Sequence, residues 1–530
     1  MFMSHEIYVQ ACKEIAHRIL AREIKSRNDI LKIKSEVCRE FKLTHIPSNP
    51  DIIRYSEEDK EKLREMLKLK PVRSTSGIVI LSVMTEPFPC PHGRCAYCPR
   101  FPGAPVSYTG REPAAMRAIE NEFDPYRQIR SRLKQLEDMG HSTQKIELII
   151  QGGTFNATPA WYRKEFMRRV MKGILNAKFK DYKEAILAAE RSKHRIVGMT
   201  IETRPDQTSE RQIDWMLEMG FTRVELGVQT IFNEVYSKVK RGHDVKAVID
   251  ATRRLKDAGF KVCYHIMPGL PDTTQRMDLD IFRSLFENEN FRPDMLKIYP
   301  TLVLEGTELY EWWKNGLYRP YSTNEAADLI ELIKANFIPK WSRIMRVQRD
   351  IPAQEIIDGV KKGNLRQIIA ERLKSHGLKC RCIRCREIGH KRLKNQINKP
   401  PDVVFTISAY PASRGMEYFI AAEDLNNDAL IGFLRLRKPS EKAWRPEITS
   451  MESFLIRELH VYGEALPLGC RSKNSWQHRG VGTTLLKRAE ELALEKGGEK
   501  IVVISGIGAK EYYFKHGYVR DGPYVSKMIK

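Results

Sequence analysis

The sequence predicts an α/β protein built on a partial (β/α)6 TIM-like barrel, preceded by a helical segment and followed by a second, smaller α/β domain. Three observations carry that expectation. At 530 residues the chain is too long for one core. From residue 77 to about 350, short apolar runs alternate with amphipathic stretches, the pattern of parallel strands joined by helices. After Pro400-Pro401 the pattern changes to consecutive strands.

Residues 1–70 read as helices, because Ile15, Ile19, Ile24, Ile30 and Ile33 recur at helical spacing among charges. Pro47 and Pro50 interrupt the pattern, Glu57–Lys70 resumes it, and Pro71 closes it. In the middle region, 71–355, six strands are expected: Gly77–Val83, Lys145–Ile150, Ile196–Glu202, Arg223–Gly227, Lys261–Ile266 and Met295–Tyr299. The intervening helices are Arg127–Met139, Trp161–Leu175, Glu210–Met219, Val245–Ala258, Met277–Asn288 and Ala326–Asn336. In such a barrel, function is expected at the C-terminal strand ends, where Cys90, Gly152, Glu202, Gln229, His265 and Pro300 fall. Residues 356–399 form a basic linker. Region 400–530 should carry strands Val403–Tyr410, Glu417–Ala422, Ala429–Arg437 and Phe454–Tyr462. A helix Gly480–Glu495, a strand Lys500–Ser505 and a final helix-strand pair follow.

The formal net charge is +23, from 90 Lys+Arg against 67 Asp+Glu. Roughly 13 basic and two acidic residues lie between Lys361 and Lys399, so about half of the excess sits in one short stretch. A local basic patch of that kind favours a polyanion such as nucleic acid. The chain has no apolar run of membrane-spanning length and no signal-peptide pattern at its N-terminus, so a cytoplasmic protein with no membrane partner is expected. Of ten cysteines, six fall in two tight clusters; Cys12, Cys38, Cys263 and Cys470 are expected to be core thiols.

The first cluster, Cys90-Pro-His-Gly-Arg-Cys95-Ala-Tyr-Cys98, places three thiols in a loop after a strand. Soft thiolates at this spacing can hold three irons of a [4Fe–4S] cluster and leave the fourth open, the arrangement of S-adenosylmethionine radical enzymes. Four residues separate the first two cysteines, where the commonest form of that family has three; a zinc knuckle and unrelated buried thiols are the alternatives. Gly152, Gly153 and Thr154 directly follow a strand and can bring backbone against the cofactor's methionine. Glu202 and Arg204 end the next strand, either as a cofactor-binding pair or as a structural ion pair.

Gln477-His-Arg-Gly480-Val481-Gly482 opens a helix and resembles the pyrophosphate loop of GCN5-related acetyltransferases, with Thr483 following. Tyr512 and Tyr513 fall where that fold often places a tyrosine near a thioester sulfur. Cys380, Cys382 and Cys385 suit zinc or another structural metal, with His376 or His390 as the nearest fourth ligand in sequence.

The cysteine triad, Gly152-Gly-Thr-Phe155, the run Arg457-Glu-Leu-His-Val-Tyr-Gly463, Gln477–Gly482 and Tyr512-Tyr513 together closely resemble the catalytic third subunit of Elongator, in a stand-alone archaeal-type form. The resemblance covers residues 71–530. It implies a radical S-adenosylmethionine domain over 71–355, a GCN5-related acetyltransferase domain over 400–530 and tRNA wobble-uridine (U34) modification. The family uses acetyl-CoA and a 5′-deoxyadenosyl radical from S-adenosylmethionine to form 5-carboxymethyluridine. It maps acetyl-CoA contacts onto Lys145, Glu458, Leu459, His460, Val461, Val481, Gly482, Thr483 and Tyr513, with Lys145 and Tyr513 the candidate catalytic residues. Lys261, Lys297 and Tyr299 resemble the family's RNA-contacting positions. Arg381, Arg384 and Lys391 of the basic linker are expected to meet the tRNA anticodon arm, with the helical segment 1–70 as a further tRNA-binding part. An electron donor is implied; a homodimer or further complex subunits stay open. Two other readings stand beside it: a protein lysine acetyltransferase with a structural iron–sulfur domain, and a tRNA-binding scaffold. Intact cysteines and an intact pyrophosphate loop disfavour the scaffold.

Overall fold

The structure, a computed structural model, describes residues 5–24, 27–43, 45–67, 76–394, 396–397, 402–463 and 480–530. Four helices, His5–Ala21, Arg27–Glu40, Asn49–Tyr55 and Lys60–Leu67, form an N-terminal bundle. Its own core contains Ile15, Ile19, Ile30, Ile33, Ile52 and Leu63, with Ile24 half-buried at its edge. Pro50 does not break a helix here. It occupies the first turn of Asn49–Tyr55, capped by Ser48, where a missing N–H costs nothing.

The central sheet is all parallel. In chain order its strands are β1 (Val79–Met84), β2 (Lys145–Gln151), β3 (Arg195–Thr203), β4 (Arg223–Gln229), β5 (Lys261–Ile266) and β6 (Met295–Ile298). After the short β7 (Val303–Leu304) comes β8 (Arg343–Arg346), which adds a seventh strand alongside β6. The spatial order β1-β2-β3-β4-β5-β6-β8 is the chain order, as successive right-handed β-α units require. The sequence showed six strands because β8 is four residues long and begins and ends on arginine; of its residues only Ile344 is deeply buried. β7 pairs with β9 (Ile356–Asp358) as a separate two-stranded ribbon.

A second sheet follows, built from β10 (Val404–Ala412), β11 (Gly415–Asp424), β12 (Ala429–Lys438), β13 (Ser453–Val461), β14 (Lys500–Val503), β15 (Val519–Asp521) and β16 (Tyr524–Met528). Its order is β10-β11-β12-β13-β14-β16-β15, antiparallel except for the β13–β14 pair. The expected final helix and single strand are a five-residue helix, Lys510–Phe514, and a hairpin that turns at Gly522, φ +58°. The helix Val481–Glu495 crosses between β13 and β14 and buries Leu485, Leu486 and Ala489.

One continuous apolar core runs through both sheets, whereas the N-terminal bundle keeps a core apart. Close backbone approach brings the sheets together. A side chain at Gly506 would overlap the carbonyl of Val197, and one at Gly508 would overlap Arg195, so the loop after β14 packs directly on the start of β3. Cys12, Cys38 and Cys263 are buried free thiols, as expected; Cys470 lies outside the described residues.

Between the sheets lies a buried ion network. Arg457 of β13 donates to Asp294 at 2.6 and 2.8 Å and to Glu417 at 2.8 Å. Arg437 donates to Asp257 at 2.7 Å and to Glu417 at 3.0 Å, while Arg435 stands 3.6 Å from Asp294. Lys256 is fully buried beside them, and burial lowers its pKa to about 8 against the pull of Asp294 and Glu417. Asp257 and Asp294 belong to the barrel side and the arginines to the second sheet, so the network joins the two.

Candidate functional site at the two mouths of the barrel

Parallel strands all start on one side of a sheet and end on the other, so the barrel has two distinct mouths. Sequence reasoning expected the barrel's function at the C-terminal one, while the resemblance also assigned Lys145, a strand start, to acetyl-CoA. Functional side chains gather at both.

At the C-terminal mouth the loop after β1 carries Cys90, Cys95 and Cys98. It is pinned by Ala96 N–H to the Val239 carbonyl at 3.0 Å, and Cys95, Tyr97 and Cys98 are buried against Val235, Val239 and Leu309. The turn at Gly152-Gly153 follows β2; both glycines have positive φ, and a side chain at Gly152 would overlap Thr85. Thr154 of that turn places its hydroxyl 3.9 Å from Cys90 Sγ, so the glycine turn and the cysteine loop meet in space. Glu202 and Arg204 close β3, but they do not pair with each other. Arg204 donates to Asp206 at 2.9 Å and to the Arg241 carbonyl at 2.9 Å; Glu202 accepts from Tyr108 at 2.9 Å and lies 3.9 Å from Lys297.

Arg204 Nη2, Gln151 Oε1, Gln229 Oε1 and Thr230 Oγ1 are buried here without a hydrogen-bond partner. Four orphaned polar atoms at one mouth imply a polar guest. Three thiols, the guanidinium groups of Arg204 and Arg241, and those orphans fit a [4Fe–4S] cluster with S-adenosylmethionine. Cys90, Cys95 and Cys98 would hold the cluster.

At the N-terminal mouth a cavity of about 860 Å³ opens between the strand starts and the second sheet. Lys145, Arg223 and Lys261, the first residues of β2, β4 and β5, line one wall. Glu458, Leu459, His460 and Val461 line the other, with Gly480, Gly482 and Thr483 at the start of the helix Val481–Glu495 and with Tyr512 and Tyr513. Glu458 accepts from Arg435 at 2.9 Å, and His460 Nε2 sits 3.1 Å from the Ser76 carbonyl. Burial lowers the pKa of Lys145 and of Lys261; Glu458 and Glu147 pull the latter back up. Burial raises Glu458, yet Arg435 and Lys261 outweigh it and hold the carboxylate below its usual range. A cavity with helix N-terminal N–H groups at one end and cations along its wall fits acetyl-CoA. Gln477 lies outside the described residues.

The residues expected to contact RNA fall in three different settings. Lys261 begins β5 at the N-terminal mouth and lines the cavity there. Lys297 is buried inside the barrel, its ammonium against Glu225, and Tyr299 packs edge-on against His265 at 5.4 Å. Of the three linker residues only Arg381 is exposed. Arg384 is half-buried, burial lowering its pKa to about 10, and Lys391 donates to the Asn427 carbonyl at 2.7 Å. Much of the linker's charge is used internally: Arg386 donates to Glu423 and Asp428, each at 2.7 Å. Charge density in sequence does not tell solvated arginine from arginine that ties two domains together.

The second cysteine cluster does converge, with the sulfurs of Cys380, Cys382 and Cys385 all within 4.8 Å of one another. His376 is instead bonded to Glu331 at 2.6 Å, and His390 stands beside Glu387; neither joins the three-sulfur group. Sequence reasoning missed Arg223, Glu147 and Glu225, which line the barrel between the mouths with His265 and Lys297. Arg223 contacts Glu147 and stands 3.6 Å from Glu225, to which His265 is bonded at 2.9 Å. The signal was there, as charged residues at alternate positions in strands that should otherwise be apolar.

A cysteine triad at one mouth of a parallel half-barrel and a pyrophosphate-type helix start at the other define a radical S-adenosylmethionine enzyme fused to a GCN5-related acetyltransferase. Comparison with known families agrees. Residues 86–285 match the radical SAM superfamily, 293–375 the radical SAM C-terminal domain, 391–518 the acetyltransferase (GNAT) family and 8–75 the ELP3 N-terminal domain. A protein of Methanocaldococcus infernus named tRNA uridine(34) acetyltransferase is 49% identical over 510 residues, covering 94% of this chain and 95% of that protein. Elongator complex protein 3 of Schizosaccharomyces pombe is 44% identical, over 98% of both chains. The solved structure of the M. infernus Elp3 lacking its N-terminus (1–46) is 45% identical with a TM-score of 0.76, covering 86% of this chain and all of that one. The chain belongs to the Elongator complex protein 3 family.

Gly482 offers a direct test of the second mouth. A side chain there would point at Tyr512, with the phenol oxygen 3.1 Å from its Cβ. Gly482→Glu is expected to abolish acetyl-CoA binding by calorimetry, because bulk and negative charge enter the helix start meant for pyrophosphate. Iron content should not change. Unaltered acetyl-CoA affinity would reduce this glycine pair to a turn.

Proposed function

We propose that the protein modifies the wobble uridine (U34) of tRNA, joining the acetyl group of acetyl-CoA to the base as 5-carboxymethyluridine. The observation that carries it is the single barrel serving two cofactors, one at each mouth. The cluster and S-adenosylmethionine, when bound, supply the 5′-deoxyadenosyl radical that takes a hydrogen from the acetyl methyl group. The protein's own residues do the rest. Gly480–Thr483 hold the pyrophosphate by backbone N–H groups, and Glu458–Val461 line the pantetheine arm. Lys145 and Tyr513 face the thioester from opposite walls, placing a cation and a phenol where negative charge develops on hydrolysis.

The relatives' names favour this reading over a protein lysine acetyltransferase. Among the described residues no helix is long and apolar enough to cross a membrane. An electron donor completes the reaction; cytoplasmic location and association with a second copy or other subunits extend the proposal. Zinc at Cys380, Cys382 and Cys385 is part of it too, since three convergent sulfurs are the donor set a tetrahedral zinc takes, with a fourth ligand still to be supplied. The Ile383 N–H bond to the Ser342 carbonyl, 3.0 Å, ties that knot to the residue just before β8.

The test is anaerobic. Reconstituted protein is mixed with labelled acetyl-CoA, S-adenosylmethionine and a reductant, with either tRNA or a lysine peptide, and nucleosides are read by mass spectrometry. Label in 5-carboxymethyluridine supports the proposal; label in the peptide alone overturns it.

For RNA binding, three exposed linker cations that lie close together in sequence, Lys374, Lys379 and Arg381, are chosen for the test. Changing all three to alanine should weaken tRNA binding and reduce the salt slope by up to about three phosphate contacts. Acetyl-CoA affinity should stay at the parent value. An unchanged salt slope would move the RNA surface away from the linker.

A further inference from the structure

Two nitrogen donors converge on one sulfur of the cysteine loop. His92 Nε2 lies 3.2 Å from Cys95 Sγ, and Arg241 Nη1 donates to the same atom at 3.5 Å. The other two thiols meet oxygens instead: the Thr154 hydroxyl lies 3.9 Å from Cys90, while the Ser107 hydroxyl at 3.5 Å and the Pro99 carbonyl at 3.8 Å adjoin Cys98. His92 is one of the four residues between Cys90 and Cys95 that give this loop its longer first spacing. Its place is set by packing. A side chain at Gly242 would come within 2.8 Å of His92 Cβ, so the Gly242 backbone lies against it, and Nδ1 is buried without a hydrogen-bond partner. Arg241 is itself buried and held by the Gly227 carbonyl.

An iron-bound thiolate can only accept hydrogen bonds, so in the loaded protein the His92 ring presents its proton at Nε2. A cluster on three thiolates gains one negative charge on reduction. Hydrogen bonds to its sulfurs and a cation beside them stabilise that added charge. We infer that His92 and Arg241 are positioning residues that withdraw charge from the Cys95 thiolate and raise the reduction potential of the cluster. The inference rests on the cluster assignment above. It concerns electron entry alone, before acetyl-CoA or tRNA takes part.

The experiment uses the full chain reconstituted anaerobically with iron and sulfide. The midpoint potential is read by redox titration followed by electron paramagnetic resonance, without S-adenosylmethionine or tRNA. His92→Leu and Arg241→Met are each expected to shift the potential to more negative values at unchanged iron content. His92→Gln, whose amide keeps an N–H donor, should stay nearer the parent than His92→Leu. A fully loaded His92→Leu protein with the parent's potential overturns the inference. Should His92→Leu assemble no cluster, Arg241→Met decides: a negative shift supports the inference and an unshifted potential overturns it. A parent that takes up no four-iron cluster fails the cluster assignment itself, and this inference with it.

Discussion

Cys95→Ser is expected to abolish tRNA modification and to remove the brown iron–sulfur absorbance. Cys95 is buried in the loop pinned to Val239 and Leu309, so no solvent-borne ligand can take its place. Two thiolates cannot hold a four-iron cluster with only one open iron. The hydroxyl of serine is a hard, rarely ionised substitute for a soft thiolate. The cavity proposed for acetyl-CoA lies at the opposite mouth, so acetyl-CoA affinity should be unchanged, as should tRNA affinity. Retained 5-carboxymethyluridine formation at the parent rate would sink the radical assignment, whatever the colour of the protein.

Arg457→Met is the second large effect, and it acts through the buried network between the sheets. The guanidinium makes four hydrogen bonds of 2.8 Å or less: two to Asp294, one to Glu417 and one to the Phe260 carbonyl. Removing one member of a buried charge set leaves the others uncompensated, at a cost of about 3–5 kcal/mol. The denaturation midpoint should fall, and acetyl-CoA affinity with it, because Arg457 adjoins Glu458 on the cavity wall.

The pH dependence has a definite sign. Burial pushes Asp294 and Glu417 upward, but Arg457 and Lys256 outweigh it and hold both below the usual carboxylate range. A depressed folded-state pKa contributes stability above the unfolded carboxylate value, about 4, that is lost as pH falls. Arg457→Met should therefore bring acid unfolding to a higher pH than in the parent. A variant with the parent's midpoint and acid transition would show that Lys256, Arg435 and Arg437 suffice without it.

These two variants separate what lies along the chain from what lies across it. The cysteine triad, the Gly152-Gly153 turn and Gly480–Gly482 were legible because each is a local run whose chemistry depends on spacing within a few residues. The strand pattern was legible for the same reason: a parallel strand buried on both faces writes a continuous apolar run. β8 was not, since four residues framed by arginine write no such run.

The sequence by itself determined the two chemistries, the order of the domains and most of the barrel's strands, because local spacing and hydrophobic period are properties of neighbouring residues. Only the tertiary structure decided that the cysteine triad and the Gly480–Gly482 helix start lie at opposite mouths of one barrel. Lys145 and Lys261 reach the cavity at the N-terminal mouth because parallel strands bring all their first residues to one side, whatever their separation in sequence. The same holds for charge. Lys391 and Lys297 were expected to contact RNA, and folding brings Asn427 and Glu225 from distant segments to pair with them. Whether a cation faces solvent or a buried partner depends on contacts between residues far apart in the chain, and no local pattern records those.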